Sequence, residues 1–160
     1  MNLGQMLRDA AAKNPQRPAV VCLDNVITYE KLDASTDALA RWFLREGLEP
    51  GDRVAIHWCN SIETVQLYFA CFKAGLIAVP VNNRLKSAEI GYILRHSRAK
   101  LCFSQPDLAP LAEMQYRGTL WLHPNGKEWT PLAFLISEHG GLGLNIPRDQ
   151  ATQDALLRAL

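Results

Sequence analysis

A doubly wound α/β fold, with a mostly parallel sheet flanked by helices on both faces, is what this sequence predicts. Three observations predict it. The stretch from Leu48 to Leu85 holds an apolar strand, a capped helix and a second apolar strand, in that order, and strand–helix–strand units build parallel sheets. Strand and helix signals keep alternating from Arg53 to Leu122, the pattern of helices laid on both sides of one sheet. The chain has 160 residues, 48% of them hydrophobic, which suits one domain able to bury a core.

Each element has its own signal. Leu3, Met6, Leu7, Ala10 and Ala11 share one face of a short helix that Asn14-Pro15 end. Ala19 to Leu23 and Val26 to Thr28 read as two strands about an Asp24-Asn25 turn. Thr28 can cap the next helix, which buries Leu32, Leu39, Ala40, Phe43 and Leu44 and closes at Gly47. Gly51-Asp52 make a turn into the strand Val54 to Ile56, with Arg53 at its entrance. Asn60 caps the following helix, with Glu63 as its capping-box partner. Val65, Tyr68, Phe69 and Phe72 recur at helical spacing and are expected to face the core. Gly75 ends that helix. Leu76 to Val79 form the second strand, stopped by Pro80.

Beyond it, Ser87 caps a helix with Ile90, Ile93 and Leu94 on one face, and Lys100 to Phe103 form the next strand. A weak helix follows at Asp107 to Met114, then a strand at Thr119 to Leu122. Thr130-Pro131 start a helix through Ser137, with Pro at the first helical position. Gly140-Gly141 end it. Leu142 to Asp149 read as loop and Ala155 to Leu160 as helix.

Composition excludes several classes of function. Seventeen basic residues face sixteen acidic ones, for a net charge of +1, so nothing points to nucleic acid or an anionic membrane surface. The most apolar run, Val65 to Val81, is broken by Gln66, Lys73, Gly75 and Pro80. It is too short to span a bilayer. The N-terminus shows no basic and apolar secretory pattern. Cys22, Cys59, Cys71 and Cys102 lie in apolar segments without metal-ligand spacing, which reads as reduced core thiols in a cytoplasmic protein.

Ligands of open parallel sheets bind beyond the carboxyl ends of the strands. That rule selects four loops, His57 to Asn60, Pro80 to Lys86, Ser104 to Asp107, and His123 to Lys127. Arg84 and Lys86 are the cations of the most polar one and suit a phosphate, which Arg grips with a bidentate fork. The competing reading is a solvated loop whose Asn82 and Asn83 serve turn geometry. His57 and Cys59 stand two apart, but no third group orients them for nucleophilic chemistry. They read as a strand end leading into a helix. Gly140-Gly141-Leu142-Gly143 lacks the Lys-Ser/Thr of a phosphate cradle and reads as a connector. The tryptophans are not interleaved with basic residues as in a single-strand binding platform. No catalytic residue and no metal ligand is assigned.

From Leu3 to about Phe103 the chain also resembles a known family. The pieces are Pro18-Ala19-Val20-Val21, Thr28-Tyr29-Glu30-Lys31-Leu32, Gly51-Asp52-Arg53-Val54-Ala55-Ile56, Asn60-Ser61-Ile62-Glu63, Lys73-Ala74-Gly75 and Pro80-Val81-Asn82-Asn83-Arg84-Leu85. Each is short, but their order and spacing match the N-terminal region of the AMP-forming acyl-CoA ligases, the adenylate-forming enzymes. Val26-Ile27 depart from the Gly that many members carry ahead of the Thr-Tyr pair. The resemblance implies a subdomain of the large N-terminal domain of such an enzyme, over about residues 1–140. Residues 141–160 would then connect towards a phosphate-loop region. It implies ATP, Mg2+ and CoA for the full-length enzyme, which converts a carboxylic acid to an acyl-adenylate and then to a thioester. In that enzyme Arg84 and Lys86 would border the acyl and CoA channel and meet a CoA phosphate.

The family's Pro-Lys-Gly phosphate loop, its aromatic-Gly-x-Thr-Glu motif, its ribose-binding Asp and its lid Lys are not readable in this sequence. The expectation is therefore a fragment covering the first third of a ligase, inactive and without cofactor when alone, whose partner is the remainder of the enzyme. The alternatives are a stand-alone binding or regulatory module of the same fold, one half of a split enzyme, or a flavodoxin-like nucleotide binder.

Overall fold

The computed structural model describes residues 3–104 together with 121–122. The helices expected at 107–114, 130–137 and 155–160, and the connector at 141–160, lie outside the described residues. The elements in chain order are α1 (Leu3–Lys13), β1 (Pro18–Cys22), β2 (Asn25–Thr28), α2 (Tyr29–Arg45), β3 (Arg53–His57), α3 (Ile62–Lys73), β4 (Ile77–Pro80), α4 (Ser87–Ser97), β5 (Leu101–Ser104) and β6 (Trp121–Leu122). β1 and β2 form an antiparallel hairpin. The other strands form a parallel sheet in the order β4-β3-β5-β6. The chain leaves β3 for one side, then crosses back over it to β5, so the sheet is wound in both directions from its centre, as the alternating pattern predicts.

Strand alternation sends neighbouring side chains of β3 to opposite faces. Val54 and Ile56 join Leu39, Phe43, Leu67, Leu101 and Phe103 under α2 and α3. Ala55 joins Cys102, Ile90, Leu94 and Ala99 under α4. Phe43 and Phe103 meet at 5.8 Å between ring centroids. Burial pushes the thiols of Cys71 and Cys102 up to about 12, so they stay protonated as small apolar fillers. Cys22 and Cys59 are only half-buried, and all four cysteines are free.

Two polar devices tie the layers together. Lys73 on α3 reaches α2, where its Nζ lies 2.5 Å from Asp33 Oδ1 and 2.6 Å from Asp37 Oδ1. Arg8 on α1 adds a contact to Asp37 at 3.1 Å. Arg53, at the start of β3, donates from Nε to the Ser97 carbonyl and from Nη2 to the Arg98 carbonyl, both at 2.8 Å. It thereby satisfies carbonyls at the end of α4 that have no helical partner.

Several details differ from the sequence expectation. The stripe Val65, Tyr68, Phe69 and Phe72 is half-buried, and α3 instead turns Leu67, Ala70 and Cys71 onto the sheet, continued by Ala74. Both stripes have helical spacing. The one with small residues lets the helix approach the sheet closely, and the aromatics flank the contact. α3 is capped by Ser61, whose Oγ accepts from the Thr64 N–H at 3.3 Å. Asn60 thus lies outside the helix and Glu63 one place too early for a capping box. Ser87 is the first residue of α4. The cap is Lys86, whose backbone N–H donates to Glu89 Oε2 at 2.9 Å. The hairpin turn is Leu23-Asp24, with Leu23 at φ +53°, and Asn25 already belongs to β2. Leu3 and Met6 of α1 stay exposed while Leu7 and Ala11 are buried. Thr28 caps α2 as expected, accepting from the Lys31 N–H, and Gly75 takes φ +72°, the left-handed conformation its position demands.

Candidate functional site

The carboxyl ends of β3 and β4 release two neighbouring loops, residues 58–61 and 81–86. A cleft of about 560 Å³ opens between them. Its polar wall is Asn60, Asn82, Asn83 and Arg84, and its aromatic wall is Trp58 with Tyr68 from α3. Ile56, Pro80 and Val81 form an apolar floor. Arg84 is the one formally charged residue among these, so the cleft favours anions.

Side-chain contacts hold the two loops in place. Asn83 Nδ2 donates to Cys59 Sγ at 2.9 Å, joining one loop to the other. Thr64 Oγ1 donates back to the Cys59 carbonyl at 2.6 Å. Asn82 Oδ1 accepts from the Arg84 N–H at 2.9 Å, a local turn that orients the Arg84 backbone. The Val81 N–H donates to the Ile56 carbonyl at 2.9 Å and continues the β3–β4 pairing into the cleft floor. Burial raises the Tyr68 phenol above its ordinary value, with a smaller contribution from Cys71, so it remains a hydrogen-bond donor at neutral pH.

At the switch point between β3 and β5, His57 and Ser104 stand opposite each other in register. His57 Nδ1 lies 3.0 Å from Ser104 Oγ, and both residues are buried. This polar pair closes the sheet end where an open doubly wound fold would receive a ligand. His57 pairs with Ser104, and Cys59 accepts from Asn83.

Arg84 and Lys86 part company. Arg84 is exposed and lines the cleft. Lys86 is exposed at the start of α4 and is not one of the cleft-lining residues. Sequence reasoning missed Trp58 and Tyr68 as wall residues. The helical spacing of α3 puts Tyr68 on the core face, and no spacing singles out Trp58. The available signal was their amphipathic chemistry, a flat apolar ring with one polar atom, close to strand-end loops. The loops 105–107 and 123–127 lie outside the described residues. Among the described residues no three His, Cys, Asp or Glu side chains gather as a metal-binding group, and no helix is long and apolar enough to cross a membrane.

Comparison with known proteins bears on this geometry. The model of the AMP-binding enzyme family matches residues 7–132. A fatty acid–acyl-carrier-protein ligase of Streptomyces coeruleorubidus is 37% identical over 103 residues, covering 64% of this chain and 20% of the relative. A long-chain-fatty-acid–CoA ligase of Mycobacterium tuberculosis is 34% identical over 114 residues, covering 70% of this chain and 23% of the relative. The solved fatty acyl CoA synthetase of Mycobacterium tuberculosis superposes with a TM-score of 0.70 at 32% identity, over 76% of this chain and 26% of that one. The chain thus spans about a fifth to a quarter of the length of the curated relatives it matches. By the extent of that match and the agreement in fold, the chain belongs to the AMP-binding enzyme family and is homologous to the N-terminal region of the acyl-CoA ligases.

Proposed function

We propose that the chain supplies the N-terminal part of an ATP-dependent acid–CoA ligase acting on an aliphatic carboxylic acid. In the complete reaction the acid's carboxylate attacks the α-phosphorus of ATP, forming an acyl-adenylate and releasing pyrophosphate. The CoA thiol then attacks the acyl carbonyl carbon and AMP leaves. The part given to this chain is binding and scaffolding: the cleft receives CoA, Arg84 contacts one of its phosphates, and Lys86 adds positive potential nearby. In this reading ATP and Mg2+ belong with the remainder of the ligase. The chemistry belongs to the remainder of the ligase, which is the chain's partner, and this reading places the enzyme in the cytoplasm.

The observation that carries the reading is the place of the cleft. It lies at the carboxyl edge of the sheet, with one cation and no carboxylate on its walls, in a chain of the AMP-binding enzyme family. The test has two arms. The 160-residue chain is assayed for ATP–pyrophosphate exchange with a panel of aliphatic and aromatic acids, and no exchange is expected. Residues 3–104 are then exchanged for the matching segment of the Mycobacterium tuberculosis ligase, and the hybrid is expected to form acyl-CoA. Exchange by the chain alone overturns the fragment reading. A folded hybrid that turns over no acid overturns the ligase reading in favour of a stand-alone module.

A further inference from the structure

The hairpin of β1 and β2 carries apolar side chains on both of its faces. Val20 and Ile27 pair across the strands and are half-buried, and the hairpin lies against α2 and α3. Val21 and Val26 form the next cross-strand pair, which strand alternation turns to the opposite face. They are 64% and 55% exposed. An antiparallel ribbon with one wet face alternates apolar and polar residues, whereas a run apolar on both faces belongs to a strand covered on both. Leu23 extends the outer surface into the turn, where it is 90% exposed. Its φ of +53° is left-handed, and tight hairpin turns fill that position with Gly, Asn or Asp. Leucine is therefore unfavourable there twice, in backbone conformation and in exposure. A contact that buried it would offset both. The two ends of the hairpin also differ in charge. Asp24 is exposed at the tip, and Arg17 and Lys31 are exposed at the base. None of the three forms an ion pair with a described residue. Glu30, also at the base, already accepts from Gln16 at 2.7 Å.

We propose that the outer face of this hairpin docks on the same face of a second copy of the chain. An isologous contact needs a surface complementary to itself. A ribbon acidic at one end, basic at the other and apolar between meets that condition. A two-fold axis through the Val21–Val26 pair lays the two hairpins antiparallel, valines on valines. Leu23 then lies over the base of the partner's hairpin. Asp24 stands three residues after Val21 and Arg17 four residues before it, so the same axis brings Asp24 of each copy to the partner's Arg17. Each hairpin, which has only two strands, gains cover on the face that α2 and α3 leave open. The contact is small, with three large apolar side chains from each copy, and small interfaces are weak, so a dissociation constant on the order of 100 μM is expected. The cleft between residues 58–61 and 81–86 takes no part in it.

The test is sedimentation equilibrium of the 160-residue chain, with amide chemical shifts followed over the same concentrations. The mean mass should rise from one chain towards two between about 10 μM and about 1 mM, with shift changes centred on residues 17–31. Leu23→Asn should weaken association about tenfold or more, because it removes a large apolar side chain from the contact. Its urea midpoint should equal or exceed that of the parent, because Asn accepts the left-handed backbone better than Leu. Asp24→Arg should also weaken association, and adding Arg17→Asp in the same chain should restore it, since each copy then offers the exchanged charges to the other. Ile77→Thr, on the free edge of β4 and away from the hairpin, should leave the dissociation constant unchanged. The concentration series on the parent needs no variant, so a variant that fails to fold does not blunt the test. A monomer up to about 1 mM overturns the proposal and leaves the outer face of the hairpin to the remainder of the ligase. Shift changes centred elsewhere, association that survives Leu23→Asn, or association lost with Ile77→Thr each overturn it as well.

Discussion

Lys73→Met should cost about 2–3 kcal/mol at pH 7, and the cost should shrink on acidification. The Lys73 side chain is 4% exposed, and its Nζ serves both Asp33 and Asp37 together with the Asp33 carbonyl at 2.9 Å. Methionine keeps the length and the apolar stem packed on Gly4, where a Cβ would lie only 2.7 Å from Lys73 Cγ. What it removes is the charge between two carboxylates one turn apart on α2. Removing one partner of a fully buried pair costs about 3–5 kcal/mol. Here the acids are 19% and 23% exposed, and water offsets part of that loss. Burial by itself would raise the Asp37 carboxyl, but the hydrogen bond and charge of Lys73, then those of Arg8, hold it below its ordinary value. A carboxyl lowered in the folded state stabilises above its unfolded value, near 4, and that stability is lost as pH falls through the folded one. The parent therefore weakens below about pH 4 more steeply than the variant, and their difference narrows. Urea denaturation followed by circular dichroism at pH 7, 5 and 3.5 measures it. A difference under about 0.5 kcal/mol at pH 7, or one equally large at pH 3.5, refutes the reasoning.

Two other outcomes follow from the same structure. Phe43, fully buried against Phe103, should cost about 3–5 kcal/mol as Phe43→Ala, whereas half-buried Phe72 should cost only about 2 as Phe72→Ala; equal urea midpoints for the two variants would mean that α3 is phased as the sequence suggested. In the hybrid ligase, Arg84→Ala should raise the CoA Michaelis constant about tenfold and leave pyrophosphate exchange, which needs no CoA, unchanged; equal loss in both assays would show that Arg84 holds structure.

The sequence was most informative where a local rule has a single solution. Thr28 caps α2 because its hydroxyl accepts from the Lys31 N–H, and Gly75 follows the end of α3 because its own backbone is left-handed. The order of strands and helices from Arg53 onward forced a parallel sheet. The place of the polar loop ending in Arg84 at the carboxyl edge of the sheet was legible, because that needs only the order of elements. It failed where two local solutions compete. Asn60 and Ser61 are both good caps, and the difference between them is a shift of one residue. The stripes Val65/Tyr68/Phe69/Phe72 and Leu67/Ala70/Cys71/Ala74 have the same period.

The sequence by itself determined the fold class, the order of the described elements and the sheet edge at which the loop of Arg84 lies, since these follow from hydrophobic period, caps and turns that act within a few residues. Tertiary structure decided which face of α3 meets the sheet, that Lys73 joins three helices, that Arg53 closes the end of α4, and that Trp58, Asn60 and Tyr68 share one cleft with Arg84. Those are contacts between segments far apart in the chain. Close packing selects them by volume and charge, and neither can be summed until the backbone has brought the segments together.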